Sequence, residues 1–140
     1  MRFFLVVFWL LPLMAQAATP ELIVVKPWMR YLLASIPAAG YMELQNPGAA
    51  DVVITGAASS ACGMLMLHKS SDTSGMAMMM DVQSITVPAH GSVTLAPGGY
   101  HLMCMQPAMK PGDKVALTLS LQNGGTVAAV LPVYGAQNAP

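Results

Sequence analysis

The chain has 140 residues, and its charges cancel, with six Lys plus Arg against six Asp plus Glu. Charged residues make up only 9% of it, and no basic stripe occurs, so the electrostatic term that nucleic-acid binding needs is missing. Nothing resembles a nucleophile elbow or an HExxH zinc helix, and Asp72 and Asp81 are too isolated to argue for a carboxylate pair, so no enzymatic activity is expected.

Residues 1–17 read as a secretory leader. Arg2 supplies the positive charge, Phe3 to Met14 is apolar with one interruption at Pro12, and Ala15-Gln16-Ala17 is a small-x-small cleavage site. Removal leaves a mature chain of about 122 residues, the size of one domain. The expected domain is 18–135, and Ala136 to Pro140 is an expected frayed tail. The leader's apolar stretch is too short to span a bilayer comfortably, and no second hydrophobic run of that length follows. No Cys lies at the cleavage region, so lipid attachment is not expected there. The expected location is the periplasm, as a monomer with no membrane span once the leader is removed.

The remainder reads as all-β. Strands are expected at Leu22–Val25, Tyr41–Gln45, Val52–Ile54 and Met64–His68. Lys69 to Gly75 is polar and reads as a flexible loop, and four methionines follow it at Met76, Met78, Met79 and Met80. Further strands are expected at Ile85–Val87, Val93–Leu95, His101–Met105, Lys114–Leu121 and Val127–Val133. Short β-branched runs separated by turns such as Asn46-Pro47-Gly48 and Asn123-Gly124-Gly125 signal a sandwich or barrel.

His68, Met79, His101 and Met103 form a spaced set, His-x10-Met-x21-His-x-Met. Imidazole nitrogen and thioether sulfur suit Cu(I) and poorly suit Mg, Ca or Mn. Thioethers carry no proton, so only the histidines must be neutral to bind. Core methionines normally sit in apolar periodic segments, whereas Met76, Met78, Met79 and Met80 follow a polar run. His101 and Met103 are two apart and share a strand face, with Tyr100, Leu102 and Cys104 on the other. Cys62, Met64, Met66 and His68 share a face if the strand is regular. Met64, Met66 and Met105 are expected in the strand core, Trp28 and Tyr41 in the core or at its edge, and His90 and Arg30 in solvent. The alternative for His90 and these methionines is assistance at a metal site.

Cys62 and Cys104 are the two cysteines. An even count behind an export signal predicts a disulfide. Two buried hydrophobes or two extra copper ligands are the alternatives.

Much of the chain resembles the periplasmic copper chaperone PCu(A)C family. Pro27-Trp28-Met29-Arg30, Ala38-Ala39-Gly40-Tyr41-Met42 and Asn46 resemble its N-terminal half. Leu67-His68, the segment ending at Met79 and Pro97-Gly98-Gly99-Tyr100-His101-Leu102-Met103 resemble its copper-binding half, with the ligand spacing matched without a gap. Gly112-Asp113-Lys114-Val115 and Gly124-Gly125-Thr126-Val127 continue the likeness.

The resemblance implies a cupredoxin-like Greek-key β-sandwich or barrel. It also implies a Cu(I) cargo on His68, Met79, His101 and Met103. The implied acceptor protein is a cytochrome c oxidase subunit or its assembly factors. Two departures stand out: Lys69 follows His68 where many members have an acidic residue, and Cys62 and Cys104 lie outside the general motif. The competing readings are a cupredoxin-type electron carrier, copper storage or tolerance, and a structural sandwich that holds no metal. The electron carrier needs a Cys thiolate beside two His and a Met, but Cys104 faces away from His101 in a regular strand.

Overall fold

Alternation of apolar and polar residues builds this molecule almost everywhere. The computed structural model describes Pro12, residues 21–73 and residues 76–140, without the side chains of 72–77. The expected leader, residues 1–17, lies outside the described residues apart from Pro12. Ten strands follow one another: β1 (Ile23–Arg30), β2 (Ala38–Gln45), β3 (Val52–Ala58), β4 (Met64–Thr73), β5 (Met76–Asp81), β6 (Ile85–Val87), β7 (Ser92–Leu95), β8 (Tyr100–Met105), β9 (Lys114–Leu121) and β10 (Thr126–Tyr134). Among the described residues no helix is long and apolar enough to cross a membrane.

The strands form one continuous curled sheet in the order β5-β4-β8-β2-β1-β10-β9-β3-β6, with β7 also paired to β2. All pairings are antiparallel except β1 with β10, where Met29 meets Val133 and Arg30 meets Tyr134. The curl brings two faces together around a core that includes Met29, Met42, Leu44, Ile54, Leu102, Leu119 and Leu131. Each such burial stabilises the fold by roughly 1.5–3 kcal/mol. β9 shows the period-two logic directly: Val115, Leu117, Leu119 and Leu121 point inward while Lys114 and Ala116 are exposed.

A β-bulge in β1 shapes the neighbourhood of the site. Val25 pairs with Glu43 but Trp28 pairs with Tyr41, so the register shifts between them. Lys26 takes φ 48° there, and Pro27, which has no N–H to pair, is tolerated at such a break. The extra residue keeps Met29 in the core and turns Trp28 to the outer face beside Tyr41.

The main departure from expectation is β5. The polar run after His68 is no loop up to Thr73, because Lys69–Thr73 continue β4, and Met76–Asp81 pair with them. Cross-strand pairing stabilises both segments although neither alternates cleanly in sequence.

Candidate metal centre

Residues directly opposite one another in an antiparallel pair share a face, and β5, β4 and β8 lie side by side. His68 on β4 is opposite His101 on β8 and opposite Asp81 on β5. Two residues along in one direction, Met66 is opposite Met103, and beyond them Met64 is opposite Met105. In the other direction Ser70 is opposite Met79. The outer face therefore carries successive rungs about 7 Å apart. These are Met64 with Met105, Met66 with Met103, His68 with His101 and Asp81, and Ser70 with Met79. The inner face of the same strands carries Leu65, Leu67, Leu102 and Cys104, all in the core.

The histidine rung is buried although it lies on the outer face. His68 is 7% exposed and His101 3%, and their ring centroids are 5.7 Å apart. His101 Nδ1–H donates to the Gly99 carbonyl at 3.2 Å. That bond fixes the neutral tautomer and leaves the Nε2 lone pair free. Nε2 of His101 is buried without a hydrogen-bond partner, as are both ring nitrogens of His68. Asp81 brings a carboxylate oxygen to 2.5 Å from His68 Nε2, from a side chain that is 79% exposed. The approach is close but lacks the direction of a hydrogen bond.

Three buried imidazole nitrogens thus make no hydrogen bond, and of these only His68 Nε2 has a charged neighbour, Asp81; such groups are costly unless something binds them. Burial pushes the His101 pKa below its ordinary 6.5; the Gly99 bond opposes this and the neighbouring His68 reinforces it. The neutral ring, which is the metal-binding form, is thereby favoured.

Methionines stand on the neighbouring rungs. Met103 is half-buried one rung below the histidines, and Met79 is one rung above, on the strand next to His68, and 63% exposed. Among the described residues no group of three or more His, Cys, Asp or Glu gathers as a metal site. Met78 and Met80 are exposed on the other face of β5, opposite Ser71 and Lys69. Met76 belongs to β5, but its side chain lies outside those described. His90 is exposed, with φ 56°, by the turn that meets the far end of β2.

Several expectations are corrected. Met64, Met66 and Met105 do not pack in the strand core: Met64 is 58% exposed, and none of the three packs on the central cluster. Cys62 does not share a face with Met64 and His68. It precedes β4, so strand periodicity does not reach it, and a disulfide joins it to Cys104 on the inner side. Arg30 lies 5.8 Å over the Trp28 ring. The Trp28 and Tyr41 rings meet at a tilt of 42° with centroids 4.7 Å apart, and Tyr41 stands 6.4 Å from His101, so this aromatic pair walls one side of the histidine rung. Asp81 is the neighbour that sequence reasoning missed. Its signal was hairpin arithmetic: positions 68 and 81 are symmetric about 74–75, where Gly75 lies.

The profile of the LpqE-like family, described as "Putative lipoprotein LpqE-like", matches residues 22–133. The chain belongs to the LpqE-like family. It is 32% identical over 111 residues to "Putative lipoprotein Lxx21020" of Leifsonia xyli subsp. xyli (strain CTCB07), a match covering 77% of this chain and 66% of that protein. The chain thus spans just under two thirds of that relative's length.

Two solved structures share its fold. The copper-bound PCuAC domain from PmoF2 superposes with a TM-score of 0.69 at 23% identity, covering 87% of this chain and 99% of that one. The solution structure of Cu(I)-DR1885 from Deinococcus radiodurans gives 0.61 at 30% identity, covering 89% of this chain and 84% of that one. The LpqE-like chain thus has the all-β, single-domain PCuAC fold that the family resemblance implies.

Proposed function

We propose that this protein is an exported, periplasmic carrier that holds one Cu(I) on His68, His101, Met103 and Met79 and passes it to an acceptor protein. The observation that carries the reading is the bare, buried Nε2 of His101, set by the Gly99 bond, with the buried ring of His68 beside it. Thioethers on the rungs to either side complete a donor set of the softness Cu(I) prefers. The copper named in the Cu(I)-DR1885 and PmoF2 structures supports the same reading.

The donors divide by accessibility, and that division suits transfer. Met79 is the most exposed of the four, so an acceptor's ligand can replace it first. Met103 is half-buried and the histidines are buried, so they release last. Burial already favours the neutral His101 ring, the form that binds metal. Thioethers also avoid the disulfide oxidation that a thiolate carrier risks in an oxidising compartment. The acceptor we infer from the family resemblance is a copper centre of cytochrome c oxidase or a factor that assembles it.

Electron transfer at a blue-copper centre is disfavoured by a specific contact. Its thiolate would have to come from Cys104, which is bonded to Cys62 and points into the core.

An anaerobic Cu(I) titration against a competing chelator tests the site. One tight equivalent is expected, and affinity unchanged in Met79→Leu, Met103→Leu and their double variant would sink the ligand assignment. Delivery is tested in a deletion strain, which should lose copper-dependent oxidase activity at scarce copper and regain it when copper is added. Normal oxidase activity with collapsed copper tolerance would point to sequestration instead.

A further inference from the structure

The lower rungs of the outer face hold more sulfur than the carrier site uses. Met64 is opposite Met105, and Met66 is opposite Met103, so three thioethers lie beyond the proposed ligands. Met64 and Met66 are two residues apart on β4 and point the same way. Directly opposed residues bring their Cβ atoms to about 5 Å, and diagonal ones to about 7–8 Å. Methionine has three rotatable side-chain bonds beyond that point, so the three sulfur atoms can converge on one ion. Ala39 sits beside Met103 on β2, and its small side chain leaves the space above that rung open.

The composition of the strip also separates it from an ordinary apolar surface. The inner rungs of β4 and β8 use Leu65, Leu67, Leu102 and Cys104 to exclude water, whereas the outer rungs that alternate with them, Met64 with Met105 and Met66 with Met103, use only methionine. Met64 is 58% exposed and none of the three outer methionines packs on the core. Leucine would serve packing there as well as methionine does; what methionine adds is a soft, proton-free donor.

We propose that Met64, Met66 and Met105 form a second, weaker Cu(I) position beside the His68/His101 site, where cargo lands or leaves. The inference rests on the reading of the neighbouring site as a Cu(I) carrier. A three-thioether position lacks imidazole and binds less tightly than the histidine site. Met66 is directly opposite Met103, so an ion moves between the two positions by exchanging one ligand at a time, each imidazole or thioether of the first site giving way to a thioether of the second. Cu(I) stays Cu(I) throughout, and no electron or proton is transferred.

The test is an anaerobic titration of the mature protein with Cu(I) against bicinchoninate, comparing the wild type with M64L/M66L/M105L. The wild type should take up two equivalents, one tight and one weak. The triple variant should lose the weak equivalent and keep the tight one at unchanged affinity. Leu preserves bulk at these off-core positions, so folding should persist.

A second measurement needs no variant. Peroxide oxidation of the wild type, mapped by mass spectrometry, should be slowed at Met64, Met66 and Met105 by the second equivalent and not by the first. A single equivalent in the wild type, or a second one retained by the triple variant, overturns this proposal and leaves the carrier site standing. Failure to bind any Cu(I) overturns both.

Discussion

The two faces of the β4–β8 pair are built from alternate residues of the same two strands, yet they do different work. Inward lie Leu65, Leu67, Leu102 and Cys104, which close the core and carry half of a disulfide. Outward lie Met64, Met66, His68, His101, Met103 and Met105, which offer only soft or borderline donors. The period of two lets one strand pair hold stability on one side and chemistry on the other. Mutations on the two faces should therefore separate cleanly: inner ones should change stability without changing Cu(I) affinity, and outer ones the reverse.

The largest expected effect lies on the inner face. The bond between Cys62 and Cys104 spans a separation of 42 residues, which in the chain-entropy model stabilises by about 4 kcal/mol. The Cys62→Ala, Cys104→Ala double variant should lose stability of that order in urea denaturation. Cu(I) affinity of the folded fraction should stay unchanged. A parallel loss of affinity would show that the bridge positions His101 and Met103 and would break the comparison.

Next comes the histidine rung. His101→Leu keeps a buried side chain of similar bulk but removes the free Nε2, so Cu(I) affinity should fall by about 100-fold or more, beyond the range typical of losing an outer-shell partner. Its thermal midpoint should move little in comparison, because the loss of the Nδ1–H bond to Gly99 is offset by removal of a buried Nε2 that has no partner in the absence of metal. Chelator competition and thermal melts on the same preparation separate the two quantities.

A smaller effect is expected one rung away, and it sharpens the contrast within the outer face. Met103→Leu should weaken Cu(I) binding by about tenfold, or ~1.4 kcal/mol. Met79→Leu should cost less affinity but more transfer rate to an acceptor, since Met79 is the exposed donor. Equal effects of the two substitutions on transfer rate would remove the basis for an ordered release.

The sequence made the inner half of this contrast easy to read and the outer half hard. Every strand except β5 was expected near its observed place, because inward residues such as those of β9 alternate with outward ones. β5 escaped because Met-Ala-Met-Met-Met-Asp has no alternation, and Lys69 to Gly75 has the composition of a loop. What makes β5 a strand is its partner β4, and pairing leaves no local signature. The spaced His and Met positions were legible as a set. Their arrangement on rungs was not, since it requires the β4–β8 register. Periodicity also misled once: Cys62 was read as part of β4, whereas the strand begins at Met64 and frees Cys62 to reach Cys104. The bulge at Lys26 and the parallel β1–β10 contact rest on pairings that no single segment announces.

The smallest expected effect couples the two faces through pH. Burial lowers the His101 pKa in the folded protein, reinforced by His68 and opposed by the Gly99 bond. The unfolded chain, with an ordinary value near 6.5, therefore takes up the proton first as the solution is acidified. This contribution to stability is fully present above 6.5 and is lost as pH falls from there through the lowered folded value. Metal-free protein should thus become easier to unfold in urea across that window, and His101→Leu should flatten this part of the profile. Cu(I) favours the neutral ring as well, so saturation with Cu(I) should move the acid loss of stability to lower pH. If metal-free and Cu(I)-loaded protein lost stability over the same pH range, His101 would not be linked to copper, and the outer face would carry its metal, if any, on sulfur alone.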